Sequence, residues 1–318
     1  MSFWNKALDK SVVFSFDRTG YNRHKKRFVE GSCSASLSGK NFLVTGGNSG
    51  IGFAAVEQLA ARDATVLLAC RSLERGEAAI AAIKGRNPDA RLELRQVDMA
   101  DLPSVSNLGD QIEGPLHGII HNAGNMVDEC QYTDAKIEYI TSLHVAGPYI
   151  LSLRLQKQLG AGGKEGGARI IFVASGGMYT QGLSAKELFN PSGKYDGMRH
   201  YAHTKRAQVV LADQLHKRLK PHGIAVHSMH PGWVDTPSVR RAMPKFTFFT
   251  KGILRAPEEG ADTISWLAGY DGNDIDEESG FWFDRERAPL FMGGRVSVPP
   301  VEIDRMMKRL DEIMTNST

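Results

Sequence analysis

The chain has 318 residues, of which 42% are hydrophobic and 24% are charged, and its formal net charge is +3. This composition is typical of a soluble globular protein, and the length allows one large α/β domain or two small ones. No apolar run approaches the roughly 18 residues that a membrane-spanning helix needs. The nearly neutral charge argues against nucleic acid as a partner.

Three cysteines, Cys33, Cys70 and Cys130, lie far apart in the sequence. This spacing is typical of neither a disulfide framework nor a metal site, so we expect no metal. A reducing compartment follows, and we predict a cytoplasmic protein that is either free or peripheral on a membrane.

The first 40 residues differ in charge from the rest of the chain. They hold eight Lys or Arg and three Asp or Glu, a net +5, which leaves −2 for the remainder. Apolar residues recur at helical spacing from Phe3 to Phe16 and predict an amphipathic helix near residues 3–16. The basic cluster 23–27 is either a solvated face or a contact with an acidic membrane, so residues 1–27 are our candidate for peripheral membrane contact.

From residue 41 onward, apolar strand patterns alternate with helical patterns. The strands are expected at 41–45, 64–70, 91–97, 116–121, 168–174, 224–230 and 281–284. The helices are expected near 50–62, 72–84, 101–112, 133–159, 198–220 and 257–269. This alternation predicts an α/β fold of the Rossmann type: one doubly wound, mostly parallel, seven-stranded sheet with helices on both faces. The domain covers residues 41–290, a helical tail covers 291–318, and the glycine-rich stretch 160–167 is expected to be a loop.

A glycine-rich turn follows the first predicted strand. The segment TGGNSGIG, residues 45–52, connects an apolar strand to an apolar-periodic helix. Glycine allows positive φ angles and lets the backbone approach a pyrophosphate, which the N–H groups of the helix N-terminus then bind. We therefore predict a dinucleotide site made by Gly46, Asn48, Ser49, Gly50, Ile51 and Gly52.

A candidate acid–base pair lies downstream. Tyr201 and Lys205 are four residues apart on a predicted helix and share one of its faces. A nearby ammonium group favours the phenolate, so we expect Lys205 to lower the pKa of Tyr201. Ser175 ends the fifth predicted strand, at the sheet edge where such folds bind ligands, and its hydroxyl can donate to a substrate carbonyl.

In this order, the motifs resemble the short-chain dehydrogenase/reductase (SDR) family over roughly residues 40–290. TGGNSGIG fits the family's TGxxxGxG loop, residues 121–124 (HNAG) fit its NNAG segment, and residues 231–236 fit its PGxVxT segment. Four further stretches are similar to one subgroup of the family that also carries an N-terminal extension; they are residues 175–178, 228–233, 235–237 and 260–263.

The resemblance implies a mechanism and further site residues. A hydride passes between NADP(H) and a carbonyl or alcohol carbon, Tyr201 transfers the proton, Ser175 polarises the carbonyl, and Lys205 holds the nicotinamide ribose. Asp98 is implied to meet the adenine. The adenosine ribose is implied to contact Asn122, Ala123 and Gly124, and the nicotinamide half to contact Pro231, Gly232, Val234 and Thr236.

One catalytic position departs from the family pattern. The family expects an asparagine that supports a local helix distortion and a water relaying protons through the lysine, but His144 stands there. Imidazole can donate and accept hydrogen bonds and can titrate near neutrality. Three interpretations stay open: His144 substitutes with some loss of rate, it adds a pH-sensitive relay, or it cripples the site.

The choice of cofactor can be argued from charge. An acidic residue after the second strand would bind the ribose 2′-OH of NAD, whereas an arginine accommodates the 2′-phosphate of NADP. Arg71 follows that strand without a neighbouring carboxylate, so we predict NADP(H). Arg75 is the weaker candidate, because we expect it on the following helix.

The substrate side is apolar. The segment after Thr236 supplies Val239, Met243, Phe246, Phe248 and Phe249 as a lid, and Met178, Trp233 and residues 281–283 can add to it. An apolar pocket predicts a lipophilic carbonyl or alcohol of the retinoid, steroid or long-chain aldehyde class. Residues 281–283 have the alternative of being core.

Two functions from different classes therefore remain. The first is an NADP-dependent oxidoreductase, expected as a homodimer or tetramer through the helices near 133–159 and 198–220. The second is an NADP-binding scaffold or sensor whose catalysis is weakened at His144 and which acts through its N-terminal extension.

Overall fold

Eight buried or edge strands form one sheet in the computed structural model, which describes residues 15–164, 167–250, 252–272, 274–292 and 296–316. The strands are β1 Asn41–Thr45, β2 Thr65–Cys70, β3 Arg91–Gln96, β4 Gly118–His121, β5 Ala168–Val173, β6 Ile224–Met229, β7 Phe281–Phe283 and β8 Glu286–Arg287. Their order is β3-β2-β1-β4-β5-β6-β7-β8, and every pairing is parallel except that of β7 with β8. The predicted doubly wound sheet is confirmed.

The eighth strand was not predicted. It consists of two exposed charged residues and pairs antiparallel with β7, so it carries none of the apolar signal that identified the other strands.

Helices fill the connections between the strands. They are α1 Arg18–Lys25, α2 Gly50–Ala60, α3 Leu73–Arg86, α4 Leu102–Gln111, α5 (Tyr139–Thr141, a π-helical turn Ser142–Ala146, and Gly147–Arg154), α6 Gln156–Lys164, α7 Ala185–Phe189, α8 Gly197–Leu219, α9 Pro237–Ala242, α10 Pro244–Phe249, α11 Pro257–Gly269 and α12 Pro300–Asn316. Short 3₁₀ turns cover Gly176–Thr180 and Lys220–His222. Within the described residues, no helix is long and apolar enough to cross a membrane.

Successive residues of a strand lie on opposite faces of the sheet and belong to two different hydrophobic cores. Leu43 and Ile119 belong to the core that includes residues of α4, α5 and α8, whereas Val44 and Ile120 belong to the core that includes residues of α2, α3 and α11. Both faces of a parallel sheet are thus buried, as expected when crossover helices cover it.

The glycine-rich stretch near residue 160 is helical, which corrects the predicted loop. Helix α6 runs through Gly160 to Lys164. A Cβ at Gly162 would collide with the carbonyl of Leu116, and one at Gly163 would meet the carbonyl of Gly223 at 2.7 Å. The glycines therefore serve close packing of the helix rather than a turn.

The N-terminal arm, which we define as residues 15–28, is part of the fold. The backbone carbonyls of Ser15 and Phe16 accept hydrogen bonds from the buried guanidinium of Arg255 at 3.0 and 2.9 Å, and that guanidinium pairs with Asp284. His24 also binds Asp284. The predicted amphipathic helix near residues 3–16 falls almost entirely outside the described residues.

The C-terminal helix α12 lies against α5 and α8. Its Met306, Leu310 and Ile313 are buried in the same core as the residues of these two helices. At its far end, Asp311 accepts hydrogen bonds from Tyr149 on α5 (2.6 Å) and from Arg218 on α8 (3.1 Å).

Candidate active site

A cleft of about 1490 Å³ opens along the carboxyl edge of the sheet. It lies where the strand order reverses between β1 and β4, the place where open α/β sheets bind ligands. Most of the predicted site residues line it: Gly46, Asn48, Ser49, Gly50, Ile51, Arg71, Asp98, Asn122, Ala123, Gly124, Ser175, Tyr201, Lys205, Pro231, Gly232, Trp233, Val234, Thr236 and Met243.

The glycine turn has the geometry of an anion site. Gly46 and Gly50 adopt positive φ angles of 67° and 55°, which favour glycine. Helix α2 begins at Gly50, and the side chain of Ser49 at its N-cap makes no capping hydrogen bond. The first N–H groups of α2 therefore lack a side-chain acceptor at that cap and lie beside the cleft, where an anionic phosphate suits them.

Gly52 does not line the cleft, although the sequence placed it among the cofactor residues. A Cβ on it would collide with Asn122 Nδ2 and with the Gly46 carbonyl. Asn122 Nδ2 in turn donates to the carbonyls of Thr45 (3.0 Å) and Gly46 (3.2 Å), which joins the loop after β1 to the loop after β4. Gly52 therefore contributes by allowing the close packing of the turn and not by lining the cleft.

Ser175, Tyr201 and Lys205 meet at the other end of the cleft. Ser175 follows β5, and its side chain hydrogen-bonds to Tyr201 and lowers the pKa of that phenol. Burial has the larger effect and raises the pKa of Tyr201 to about 12. The direction is opposite to the one expected from Lys205, because desolvation of the phenolate dominates and Lys205, whose Nζ lies 5.5 Å from the ring centroid, does not lower this pKa.

Lys205 is buried and held by neutral oxygens. Its Nζ donates to the carbonyl of Val173 (2.8 Å) and to the side-chain oxygen of Gln208 (2.9 Å). Burial lowers the pKa of Lys205 to about 7. The lysine thus changes its charge near neutral pH.

His144 lies behind Tyr201 and does not line the cleft. It belongs to the π-helical turn of α5, so the helix distortion that the family resemblance implied is present around this histidine. Its Nε2 accepts a hydrogen bond from the backbone N–H of Asn125 (3.3 Å), which leaves the proton on Nδ1. Nδ1 then donates to Thr204 Oγ1 (2.8 Å), and that hydroxyl donates to the Tyr201 carbonyl (2.8 Å).

The corner after β2 is basic. Arg71 and Arg75 both line the cleft there. The Arg71 side chain is 65% exposed and lies 3.5 Å from the carboxylate of Asp98, which also lines the cleft. The two residues that the sequence assigned to the adenine end are therefore neighbours.

The substrate end differs from the prediction at Met178 and at part of the predicted lid. Met178 is fully buried in a small core with Ala174, Val209 and Phe281, because the 3₁₀ turn after Ser175 points it inward; it is not a substrate contact. Phe281 and Trp282 are also core, whereas Phe283 stacks on His230 at 4.0 Å.

The lid predicted after Thr236 divides into two parts. Val239, Met243 and Phe246 line the cleft, and Phe246 contacts Trp233 edge to face at 5.2 Å. Phe248 and Phe249 on α10 do not line it and are 75% and 82% exposed.

Sequence reasoning missed several residues of the site. The cleft is also lined by Asn125, Met126, Tyr139, Leu143, Thr180, Gln181, Met198 and Arg199. These come from loops and helix ends without a motif, so only the fold reveals them. Gln208 could have been found, because it lies three residues after Lys205 and therefore on the same helix face.

Among the described residues, no group of three or more His, Cys, Asp or Glu side chains is placed so that it could hold a metal ion.

Comparison with known proteins agrees with this geometry. The model of the short chain dehydrogenase family matches residues 40–245. Dehydrogenase/reductase SDR family member 12 of Bos taurus is 36% identical over 94% of this chain and 93% of its own length, which confirms the predicted subgroup. Retinol dehydrogenase 11 of Mus musculus is 31% identical over 78% of this chain and 79% of its own length. Among solved structures, a dehydrogenase/reductase from Sinorhizobium meliloti 1021 superposes with a TM-score of 0.61 at 26% identity, over 79% of this chain and 96% of that one.

Proposed function

Because this chain belongs to the short-chain dehydrogenase/reductase family and is thus a dehydrogenase/reductase with a nicotinamide cofactor, we propose that it is an NADP-dependent oxidoreductase acting on a lipophilic carbonyl or alcohol. The observation that carries the proposal is the juxtaposition, in one cleft, of the glycine turn with Ser175, Tyr201 and Lys205.

The reacting end offers two hydroxyl groups to a substrate oxygen. When bound, the nicotinamide of the cofactor supplies or accepts the hydride. Burial raises the pKa of Tyr201 to about 12, so its hydroxyl is protonated at neutral pH, as that of an ordinary tyrosine is, and it is the group that we propose to transfer the proton. Ser175 lies within hydrogen-bonding reach of Tyr201, so the two hydroxyls can bind the same oxygen.

The preference for NADP rests on the basic corner. A 2′-phosphate placed beside Arg71 and Arg75 would meet two guanidinium groups, the side chains best suited to bind phosphate. The carboxylate of Asp98 also lies nearby, but it pairs with the Arg71 guanidinium, which offsets its negative charge.

A lipophilic substrate is supported by the lining of the pocket. Trp233, Met243 and Phe246 line the cleft, and Phe246 packs edge to face on Trp233, so apolar side chains form part of its wall. Retinol dehydrogenase 11 is named for a lipophilic alcohol, which supports the retinoid class among the candidates.

The test is to follow NADPH oxidation with a panel of retinoid, steroid and long-chain carbonyl compounds. We expect turnover with at least one class and little with small polar ketones. NADPH binding without turnover across the panel would contradict the proposal and favour the NADP-binding scaffold as the function.

Contact with a membrane is proposed as an addition to this activity. Exposed Phe248 and Phe249 lie on α10 beside the lid, and the exposed cations Arg241 and Lys245 are close to them in sequence. Residues 1–27 remain a second candidate for this contact, although two members of the basic cluster, His24 and Arg27, bind Asp284 and Glu286 of the domain. Flotation of the protein with anionic vesicles, but not with neutral ones, would support the contact; equal flotation with both would contradict the role of charge.

A further inference from the structure

Gln208 makes a bridge at the centre of the site. It lies on α8 three residues after Lys205, and its side chain is fully buried. Its Oε1 accepts a hydrogen bond from Lys205 Nζ (2.9 Å), and its Nε2 donates to the carbonyl oxygen of His144 (2.9 Å). One amide thus joins the ammonium group of the site to the π-helical turn of α5.

The sequence explains why the His144 carbonyl needs this donor. In an α-helix, that oxygen would accept from the backbone N–H four residues further on. That residue is Pro148, which has no N–H. The amide of Gln208 thus gives this buried carbonyl a donor in place of the α-helical N–H that Pro148 lacks.

The same amide orients the ammonium group of Lys205. An ammonium group has three donors. Two of them go to the Val173 carbonyl and to Gln208, both on the protein side. The third is the one that can reach a ligand in the cleft, which Lys205 lines.

The titratable groups that face Lys205 are Tyr201 on its own helix and His144 on α5. Burial raises the pKa of Tyr201 to about 12 and holds the pKa of His144 well below its usual range, so both are neutral near pH 7. Among the described residues, no carboxylate forms an ion pair with Lys205. The polar contacts of its ammonium group are therefore with uncharged oxygens.

We propose that Gln208 is a positioning residue that aims Lys205 at the cleft and sets the pH range over which this lysine is charged. Its amide oxygen stabilises the ammonium form by a hydrogen bond without adding a negative charge. Gln208 thus gives the π-turn and the lysine a direct side-chain link.

The test measures the ionisation of Lys205 directly and needs no cofactor. In protein labelled with ¹³C-lysine, the Cε signal of Lys205 is assigned by its loss in Lys205→Arg and is then followed from pH 5 to pH 10. We expect a midpoint near 7 in the natural chain, where burial holds the lysine's pKa at about 7. Gln208→Glu should raise the midpoint by about one pH unit or more, because a carboxylate then faces the ammonium group.

Gln208→Met should move the midpoint in the opposite direction, because a side chain of similar length no longer accepts from Nζ. Gln214→Met is the matched control on the same helix, since Gln214 contacts Asp213 and not the site. The inference is overturned if Gln208→Met titrates with the midpoint of the control, because a carboxylate at this position raises the midpoint whatever the native amide does. Should Gln208→Met fail to fold, Gln208→Leu, which also lacks the accepting oxygen, takes its place.

The inference rests on the proposed function only for the task that this function gives to Lys205, which is to bind the cofactor. NADPH binding is therefore measured on the same samples. A natural chain that binds no NADPH would contradict the proposed function, while the titration would still decide the role of Gln208.

Discussion

At the scale of single residues, His144 is the departure that most affected the expected chemistry. Its two ring nitrogens have distinct partners, the Asn125 N–H and the Thr204 hydroxyl, and they require the neutral ring. Burial first, and then the charge of Lys205, hold the pKa of His144 well below its usual range. These facts argue against a pH-sensitive relay at His144 and favour the interpretation in which it substitutes for the asparagine.

Arg71 carries the prediction on cofactor choice. We expect Arg71→Asp to reverse the preference from NADPH toward NADH, because the new carboxylate repels the 2′-phosphate and can bind a ribose 2′-OH. Loss of one charge-assisted contact corresponds to a roughly 10- to 100-fold weaker affinity for NADPH. Dissociation constants for both cofactors, measured by fluorescence, check this.

Arg91→Asp is the control for Arg71→Asp. It makes the same charge change at the exposed start of β3, at the opposite end of the strand from the cleft. An Arg71→Asp variant that keeps the preference of this control would show that Arg75 or the glycine turn reads the phosphate.

At the scale of secondary-structure elements, the N-terminal arm supports the substrate end of the site. The Phe16 ring packs on His230 (4.4 Å between centroids), on Phe283 and on Trp233, and a Cβ at Gly176, the neighbour of Ser175, would meet that ring at 2.5 Å. The Phe16 carbonyl also accepts from the Trp233 N–H (2.8 Å). A scaffold function cannot be tested by deleting residues 1–40, because that deletion would remove packing from the site itself.

Phe16→Ala should therefore destabilise the protein and weaken substrate binding together. The ring is only 6% exposed, so we expect a loss of about 3 kcal/mol in the free energy of unfolding, together with a raised KM. Urea unfolding and steady-state kinetics measure the two effects. Val29→Ala, at a 75% exposed position of the same N-terminal segment, should change neither, and a Phe16→Ala variant equal to it would refute the supporting role.

The sequence predicted elements well where apolar periodicity was strong, and it failed where packing decided. Strands β1, β2 and β4 to β7 each carry a run of buried, mostly apolar residues, and β3 alternates half-buried Leu92 and Leu94 with polar residues, whereas β8 has only Glu286 and Arg287. The helical state of Gly160 to Gly163 depends on close approach to the carbonyls of Leu116 and Gly223, which no local pattern encodes. In the site, most motif residues line one cleft, but Met178 faces the core because of the turn in which it lies.

At the scale of the whole molecule, α12 affects assembly. The sequence analysis expects a homodimer or tetramer whose interface is formed by α5 and α8. In the structure, however, Asp311 of α12 binds side chains of both helices. We therefore expect a monomer of 34.9 kDa in light scattering. A mass near twice that value would show that α12 leaves the two helices free to associate or that another surface is used.

Acid should destabilise the whole fold through its buried histidines. Burial lowers the pKa of His121 and of His230 to about 3 and that of His203 to about 4. Because these values lie below the unfolded value near 6.5, the unfolded chain binds more protons, and stability that is complete above pH 6.5 is lost as the pH falls. Between pH 7 and pH 5.5, the three histidines together cost about 4 kcal/mol.

Urea unfolding at several pH values measures this loss. The exposed His222 provides the control. His222→Gln should leave the dependence of the free energy of unfolding on pH unchanged, whereas His230→Phe should reduce it. A free energy of unfolding that is constant from pH 7 to pH 5.5 would contradict the assignment of neutral buried histidines.

The most direct test of the proposed chemistry compares the natural chain with Tyr201→Phe, using NADPH and the best carbonyl compound from the panel. The substitution removes one hydroxyl and leaves the aromatic ring beside His144 and Lys205. We predict that turnover falls by about 100-fold or more, as expected for loss of the proton donor, while NADPH affinity changes less than about twofold. Turnover that survives in Tyr201→Phe, with NADPH still bound, would contradict the role of Tyr201 as the acid and with it the proposed mechanism.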